Sequence, residues 1–483
     1  MLLALLLSVP LLFALLTFLS GDRYAKFVSL IGGSATLVAA VFVALALKQN
    51  GVNPIVFTRE WVANPLITFN LTLDGLALAL VALTAILIPI IIATTFDKTL
   101  DNAKSFYSLV LLMEFGLLGV FLAGDGFLYY IFWELALIPI YFIALLWGDN
   151  QDKIFRQRAI FKFFIYTLAG SLFMLLGFIY LYQTAGGFTT EKLYGLNLSL
   201  NEQSLVFWAM FLAFAIKIPV FPFHTWQPDT YKEAPSAGTM LLAGIMLKMG
   251  LYSLLRWLLP VVPAGVEFWT PYIMVLAVIG VIYGSIIAFK QDDLKKLLAY
   301  SSFAHVGLIT AGIFTLTREG FQGATAQMFA HGLNVVGLFF AAHIIYQRTG
   351  TLSIAQLGGI RNVAPKFATA FMIVVLASVA LPTTNAFIGE FLLLYSLFEY
   401  NTYLSIVAGL TIILGAVYML RMYQYVMLGE TNERTAGFED LNPRELTIFA
   451  ILIIGIFAMG VYPKPFMQLV QPSLETILSY SMR

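Results

Sequence analysis

The sequence has no cysteine in 483 residues and only four histidines. The first absence excludes disulfides, thiolate-ligated iron–sulfur clusters and cysteine-bound zinc. The four histidines are too scattered to form a haem or zinc motif. Charge is also scarce: 11% of residues are Asp, Glu, Lys or Arg, against roughly 25% in an ordinary soluble domain. A water-facing surface cannot be built from so few charges, so a soluble globular enzyme is excluded. Lys and Arg number 27 against 26 Asp and Glu, a balance that gives no ground for nucleic-acid binding. No phosphate-binding glycine loop and no nucleophile–base pattern appears. What is abundant is apolar: 60% of the chain. This is the composition of an all-α polytopic membrane protein.

A helix needs about 20 apolar residues to cross ~30 Å of hydrocarbon. Fourteen such stretches are found along the chain, each apolar all round, and they predict fourteen transmembrane helices. The connections leave no room for a separate soluble domain. Alternate connections, beginning with the first, carry seventeen of the 27 basic residues, among them Arg23, Lys26, Lys153, Arg156, Lys290 and Lys296. The opposite connections and the tails carry six. That asymmetry predicts a cytoplasmic side for the first set and both termini outside. The apolar start has no basic leader and no small-x-small cleavage site, so a retained first helix is expected rather than a signal peptide. Mixed charge in 429–445 reads as a solvated loop.

Two spans are interrupted. The seventh (204–222) contains Pro219 and Pro222, and the twelfth (367–399) breaks at Leu381–Asn385. Proline inside a helix frees carbonyls, which in a membrane must face protein or water. Broken spans five helices apart, each near an ionisable residue, are the mark of an inverted-repeat transporter, because an odd offset reverses the second unit. The expected division is 1–104 for helices 1–3, 105–259 for a first repeat (helices 4–8) and 260–427 for an inverted second (helices 9–13). Residues 428–483 would hold a cytoplasmic loop, helix 14 and a tail.

A charge at mid-bilayer costs at least ~2.5–3.5 kcal/mol, so the residues that bear this cost are informative. Glu114, Glu134, Lys217, Lys248, His305, His331 and Glu390 place ionisable groups at similar depth in seven spans. Groups that exchange a proton, strung across a membrane interior, form a relay. Glu134 and Lys217 have opposite signs. At an effective dielectric of ~20 and a separation of 4 Å such a pair gains ~4 kcal/mol, and doubling the distance halves it. A small movement could therefore switch the lysine. Ser301 one turn from His305, and Asn334 on the face of His331, could extend a hydrogen-bonded chain. His343, near a span end, reads as a core residue, and Arg256 as a snorkelling one.

Several segments resemble the antiporter-like membrane subunits of respiratory complex I, the NADH:quinone oxidoreductase. They are Phe132-Trp-Glu-Leu with Ile138-Pro-Ile-Tyr, Ala215-Ile-Lys-Ile-Pro, His224-Thr-Trp-Gln-Pro-Asp and Ala234-Pro-Ser-Ala-Gly. Leu242-Ala-Gly-Ile-Met-Leu-Lys, Tyr300-Ser-Ser-Phe-Ala-His and Ala330-His-Gly complete the set. The similarity runs from about residue 70 to 430, and outside it only hydropathy agrees. Gly389-Glu-Phe resembles the M-type branch (chain 4 in mitochondrial naming), whereas the L-type, N-type and cation/proton antiporter branches carry lysine there. The resemblance implies that Glu134 and Lys217 are the paired switch and Lys248 the central relay lysine. His305 and His331 would continue a hydrated axis and Glu390 would load or release the proton, with His224 near the access route. Glu114 falls in no motif of the family.

The resemblance also implies a proton-translocating subunit with no redox site of its own, in a bacterial inner membrane. NADH, FMN, iron–sulfur clusters and quinone would be held by partner chains. L-type, N-type and small membrane subunits would be its neighbours in the lipid bilayer. An Mrp-type cation/proton antiporter subunit and a purely structural membrane spacer are the alternatives.

Overall fold

The computed structural model describes residues 1–51, 53–97, 99–148 and 152–482. Its long helices in chain order are α1 (Leu2–Leu19), α2 (Asp22–Gln49), α3 (Gly75–Thr94), α4 (Ala103–Leu122), α5 (Gly126–Leu146) and α6 (Lys153–Ala185). There follow α7 (Leu200–Lys217), α8 (Ser236–Leu258), α9 (Pro263–Lys290), α10 (Leu294–Ile313) and α11 (Arg318–Thr349). The chain closes with α12 (Pro365–Ser378), α13 (Asn385–Tyr400), α14 (Thr402–Met427), α15 (Pro443–Val461) and α16 (Lys464–Ser481).

Among the described residues, 11 helices are long and apolar enough to cross a membrane, where the sequence led us to expect fourteen. The other three apolar stretches do fold as helices, but of a different kind. α7 stops at Lys217 ahead of Pro219, α10 starts with Lys295 and Lys296, and the twelfth stretch is two halves of 14 and 16 residues, α12 and α13. Two further elements were not expected. Residues Ile55–Val62 and Ile67–Leu73 form an antiparallel hairpin, and the second strand, Ile67-Thr-Phe-Asn-Leu-Thr-Leu, has the period-two alternation of a strand. Buried Asp125 ties this hairpin to α5: Oδ1 accepts the Phe127 and Leu128 amides, while Oδ2 accepts the Thr68 amide and hydroxyl. The C-terminal tail is the amphipathic helix α16, whose buried Val470, Ser473, Leu474, Ile477 and Ser481 recur at helical spacing.

α8 is wholly buried and α11 nearly so, whereas α1, α2 and α14 expose large apolar side chains such as Leu12, Phe42 and Ile413. The chain is thus an integral membrane protein whose two central helices are shielded from lipid by the outer ones. Arg256 does not snorkel: its guanidinium pairs with Asp74, which also caps α3 through Oδ1 and the Ala77 amide at 2.9 Å.

Docking of α16 depends on one glycine. The Gly75 amide donates to Ser473 Oγ at 2.9 Å, and a Cβ on Gly75 would lie 1.8 Å from the Leu469 carbonyl oxygen. That is backbone and cannot turn aside. Gly75→Ala is expected to displace α16 and cost about 1–3 kcal/mol, as overpacking does. Faster proteolysis or amide exchange of 464–481, with α10 and α11 unchanged, would show it.

Candidate functional site

The first part of the site is built on a broken helix. α7 ends at Lys217, where a cationic side chain suits the negative end of the helix dipole. Pro219 offers no amide, and the Val220 amide instead reaches back to Ala215 O at 2.8 Å. The Ile216 carbonyl, left over by this turn, accepts the Trp226 indole N–H at 2.9 Å. The break is therefore satisfied by protein, as lipid surroundings demand. Lys217 is buried, its Nζ has no hydrogen-bond partner, and it sits 5.1 Å from the centre of the Trp133 ring.

Glu134, the next residue after Trp133 on α5, has Ser171 of α6 as its polar neighbour. Glu134 and Lys217 feel each other's charge, yet they form no direct ion pair. The pair, expected from the sequence to switch with a small movement, stands beyond ion-pair contact here, with an aromatic ring beside the lysine. At more than 4 Å the attraction falls below the ~4 kcal/mol of a contact pair.

The second part is contiguous. Lys248 lies in α8 between two π-helical segments, Leu242–Met246 and Leu254–Leu258, a local widening often found at functional sites. Its Nζ donates to the Ala243 carbonyl at 2.6 Å and stands 2.8 Å from His331 Nδ1 of α11. The His331 ring centre is 6.3 Å from that of His305 on α10. His305 Nδ1 is 2.9 Å from Glu390 Oε1 on α13, an ion-pair distance without the angles of a good hydrogen bond.

Between the histidines lies a cavity of about 20 Å³ bordered by Ser301, Ser302, His305, Gln327, His331 and Asn334, room for about one water. The Nε2 atoms of His305 and His331 are both buried and have no protein partner. Both imidazoles can thus pass a proton at two nitrogens. The break before α13 is satisfied as the first one is. Asn334 Nδ2 donates to Ala377 O at 3.1 Å, and Asn385 Nδ2 to Ala330 O at 3.4 Å.

His224 and Glu114 stand apart from this series. His224 is buried at the α7 break in an aromatic stack, 4.5 Å from the Phe303 ring and 5.2 Å from the Tyr283 ring. Glu114 is fully buried on α4, has no hydrogen-bond partner for either carboxylate oxygen, and faces Thr36 of α2. His343 lies 4.0 Å from Asp97, which also pairs with Arg444 at 3.1 Å, away from the relay residues.

Two central helices shielded from lipid, two broken helices and a buried series of ionisable side chains define the site. A family model described as NADH:quinone oxidoreductase/Mrp antiporter, transmembrane, matches residues 123–415. The chain belongs to that family. It is 38% identical over 461 residues to NADH-quinone oxidoreductase subunit M of Rickettsia prowazekii, covering 95% of this chain and 93% of that one. To NADH-ubiquinone oxidoreductase chain 4 of Marchantia polymorpha it is also 38% identical, over 88% and 85% of the two chains. A chain in the structure of respiratory complex I from Thermus thermophilus with bound NADH superposes with a TM-score of 0.91, at 29% identity and 99% coverage of both. A chain of the Mrp complex from Dietzia sp. DQ12-45-1b shares the fold, with a TM-score of 0.86 at 19% identity.

In this member of the NADH:quinone oxidoreductase/Mrp antiporter family, the match spans both broken helices and every candidate site residue from Glu134 to Glu390. Sequence reasoning missed the π-helical widening beside Lys248, and it missed Tyr418. The Tyr418 hydroxyl donates to Ser301 Oγ at 3.0 Å. A tyrosine in an apolar span costs little, so the criterion of charge at mid-depth could not single it out.

Proposed function

We propose that the chain is the M-type, proton-translocating membrane subunit of a NADH:quinone oxidoreductase. It would sit beside L-type, N-type and small membrane subunits, and carry a proton through Glu134, Lys217, Lys248, His331, His305 and Glu390. The observation that carries this reading is the series from Lys248 through His331 and His305 to Glu390, on four different helices, with one small polar cavity bordered by the two histidines in its middle. Side chains placed there only to hold helices together would not need four titratable groups in sequence, each costly to bury.

In this reading NADH, flavin, iron–sulfur clusters and quinone belong to partner chains, whose redox chemistry supplies the free energy. Residues 105–259 and 260–427 act as two inverted repeats, each with its broken helix. The support for this is that α7 breaks after Lys217 and the α12–α13 pair breaks five residues before Glu390. The basic-rich connections face the cytoplasm of a bacterial inner membrane and both termini face outward. His224, at the first break, serves proton access to Lys217.

Glu390→Gln keeps the shape of the side chain and removes its charge and proton-accepting power. In the assembled complex reconstituted in vesicles, it is expected to lower NADH-driven proton uptake by about 100-fold, the worth of one positioned proton-transfer group. NADH oxidation by an artificial acceptor should persist. Unchanged uptake would rule out Glu390 as the terminal relay group.

A further inference from the structure

A second, larger cavity of about 630 Å³ opens on the basic-rich face, at the α9–α10 connection. Phe289, Lys290, Asp292, Leu297, Tyr418 and Arg421 border it. Its charges are held in place. The Arg421 guanidinium lies 4.4 Å over the Phe289 ring, and Asp292 accepts the Ala355 amide at 2.9 Å. The residues that line this vestibule and those that line the small cavity between His305 and His331 do not overlap.

On α10, however, the two linings are neighbours: Leu297 faces the vestibule, while Leu298, Ser301, Ser302 and His305 face the inner cavity. At 1.5 Å per residue, Leu297 to His305 descends only about 12 Å. Tyr418 lies about one turn deeper than Arg421 on α14 and borders the vestibule. Its hydroxyl donates to Ser301 Oγ at 3.0 Å, the one side-chain hydrogen bond among the described residues that joins the two linings.

We propose that the Tyr418–Ser301 hydroxyl pair is the proton gate between the cytoplasm-facing vestibule and the histidine cavity. This rests on the relay reading above and adds to it the side and the route by which the Glu390 end is loaded, as His224 serves the Lys217 end. The proton count closes without a co-reactant. A hydrated proton in the vestibule passes to the Tyr418 oxygen, leaving water behind, as Tyr418 passes its own proton to Ser301 Oγ. The Ser301 proton moves through the inner cavity to His305 Nε2, and His305 releases the proton on Nδ1 to Glu390 Oε1. One proton enters at the vestibule and one arrives on Glu390, each hydroxyl ends as it began, and His305 passes from its Nδ1–H to its Nε2–H tautomer.

The test uses the complete complex in vesicles. Tyr418→Phe and Ser301→Ala each remove one hydroxyl with little change in packing, and each is expected to slow NADH-driven proton uptake by about 100-fold. The double variant should be no slower than the slower single, because both act on one path. Ser301→Thr, which keeps a hydroxyl, should restore uptake, an outcome that a purely packing role would not produce.

Because the chain has no cysteine, Ala355→Cys gives it a single thiol at the vestibule wall. A charged, membrane-impermeant methanethiosulfonate should slow uptake in this variant, and not in the parent complex, when added from the cytoplasmic side only. Full uptake in Tyr418→Phe and Ser301→Ala, in a complex that Lys217→Ala silences, would overturn the gate and leave the relay standing. Full uptake in Lys217→Ala would overturn the relay itself.

Discussion

Lys217→Ala is expected to abolish coupled proton uptake while NADH oxidation by an artificial acceptor continues. Lys217 Nζ has no hydrogen bond to hold it, only the Trp133 face at 5.1 Å and the field of Glu134. Such an ammonium, shielded from water and not locked into a contact ion pair, responds steeply to any displacement of the carboxylate, because the Coulomb term varies as the inverse of distance. Removing it takes away both the charge that Glu134 answers to and the proton carrier at the first break. The expected loss is ~100-fold or more in uptake, read as quenching of a pH-sensitive dye in sealed vesicles.

Two controls separate chemistry from folding. Glu134→Gln should reproduce the loss, since it removes the other half of the switch without shortening the side chain. Trp133→Phe keeps an aromatic face for the lysine and should leave uptake within a few-fold, because a cation–π contact is worth about 0.5–2 kcal/mol. If Lys217→Ala and Glu134→Gln both sustain full uptake, the switch is assigned to the wrong residues.

How much of this could be read in advance is seen residue by residue. The cost of a charge at mid-depth picked out Glu134, Lys217, Lys248, His305, His331 and Glu390, since nothing in an apolar helix conceals such a residue. Hydropathy also marked every long helix but the amphipathic α16, down to the break at Leu381–Asn385. It could not separate helices that qualify as spans by length and composition from α7, α10 and the α12–α13 pair, where lysines or a break intervene.

Contacts across the bundle were less legible. That Lys248 meets His331 Nδ1, and that His305 meets Glu390, depends on how α8, α10, α11 and α13 pack, which no spacing along one helix encodes. The Glu134–Lys217 pair was legible only in part: complementary signs marked the two residues, but not their separation or the tryptophan ring beside the lysine. Tyr418 was invisible for a third reason. Hydroxyls are inexpensive in an apolar span when they find a local carbonyl or each other, so they carry no composition signal.

Lys248→Met is expected to produce the second large loss, for a different physical reason. Lys248 joins two helices of the buried centre, and its Nζ holds two contacts at once, the Ala243 carbonyl at 2.6 Å and His331 Nδ1 at 2.8 Å. Methionine fills nearly the same volume and can make neither. The π-helical segment Leu242–Met246 would keep its backbone shape, but His331 Nδ1 would lose its contact with Lys248 Nζ, the step by which the proposed relay leaves α8. Uptake should fall ~100-fold.

Stability should drop by only about 1–3 kcal/mol, the cost of leaving a buried acceptor unsatisfied. That split is what distinguishes a relay lysine from a structural one. If Lys248 served only to fix the α8–α11 packing, thermal stability of the solubilised complex would fall and uptake would survive in the folded fraction. Combining Lys248→Met with His331→Ala sharpens the point. In a serial path the second change costs nothing further in uptake, whereas two independent structural contacts would add.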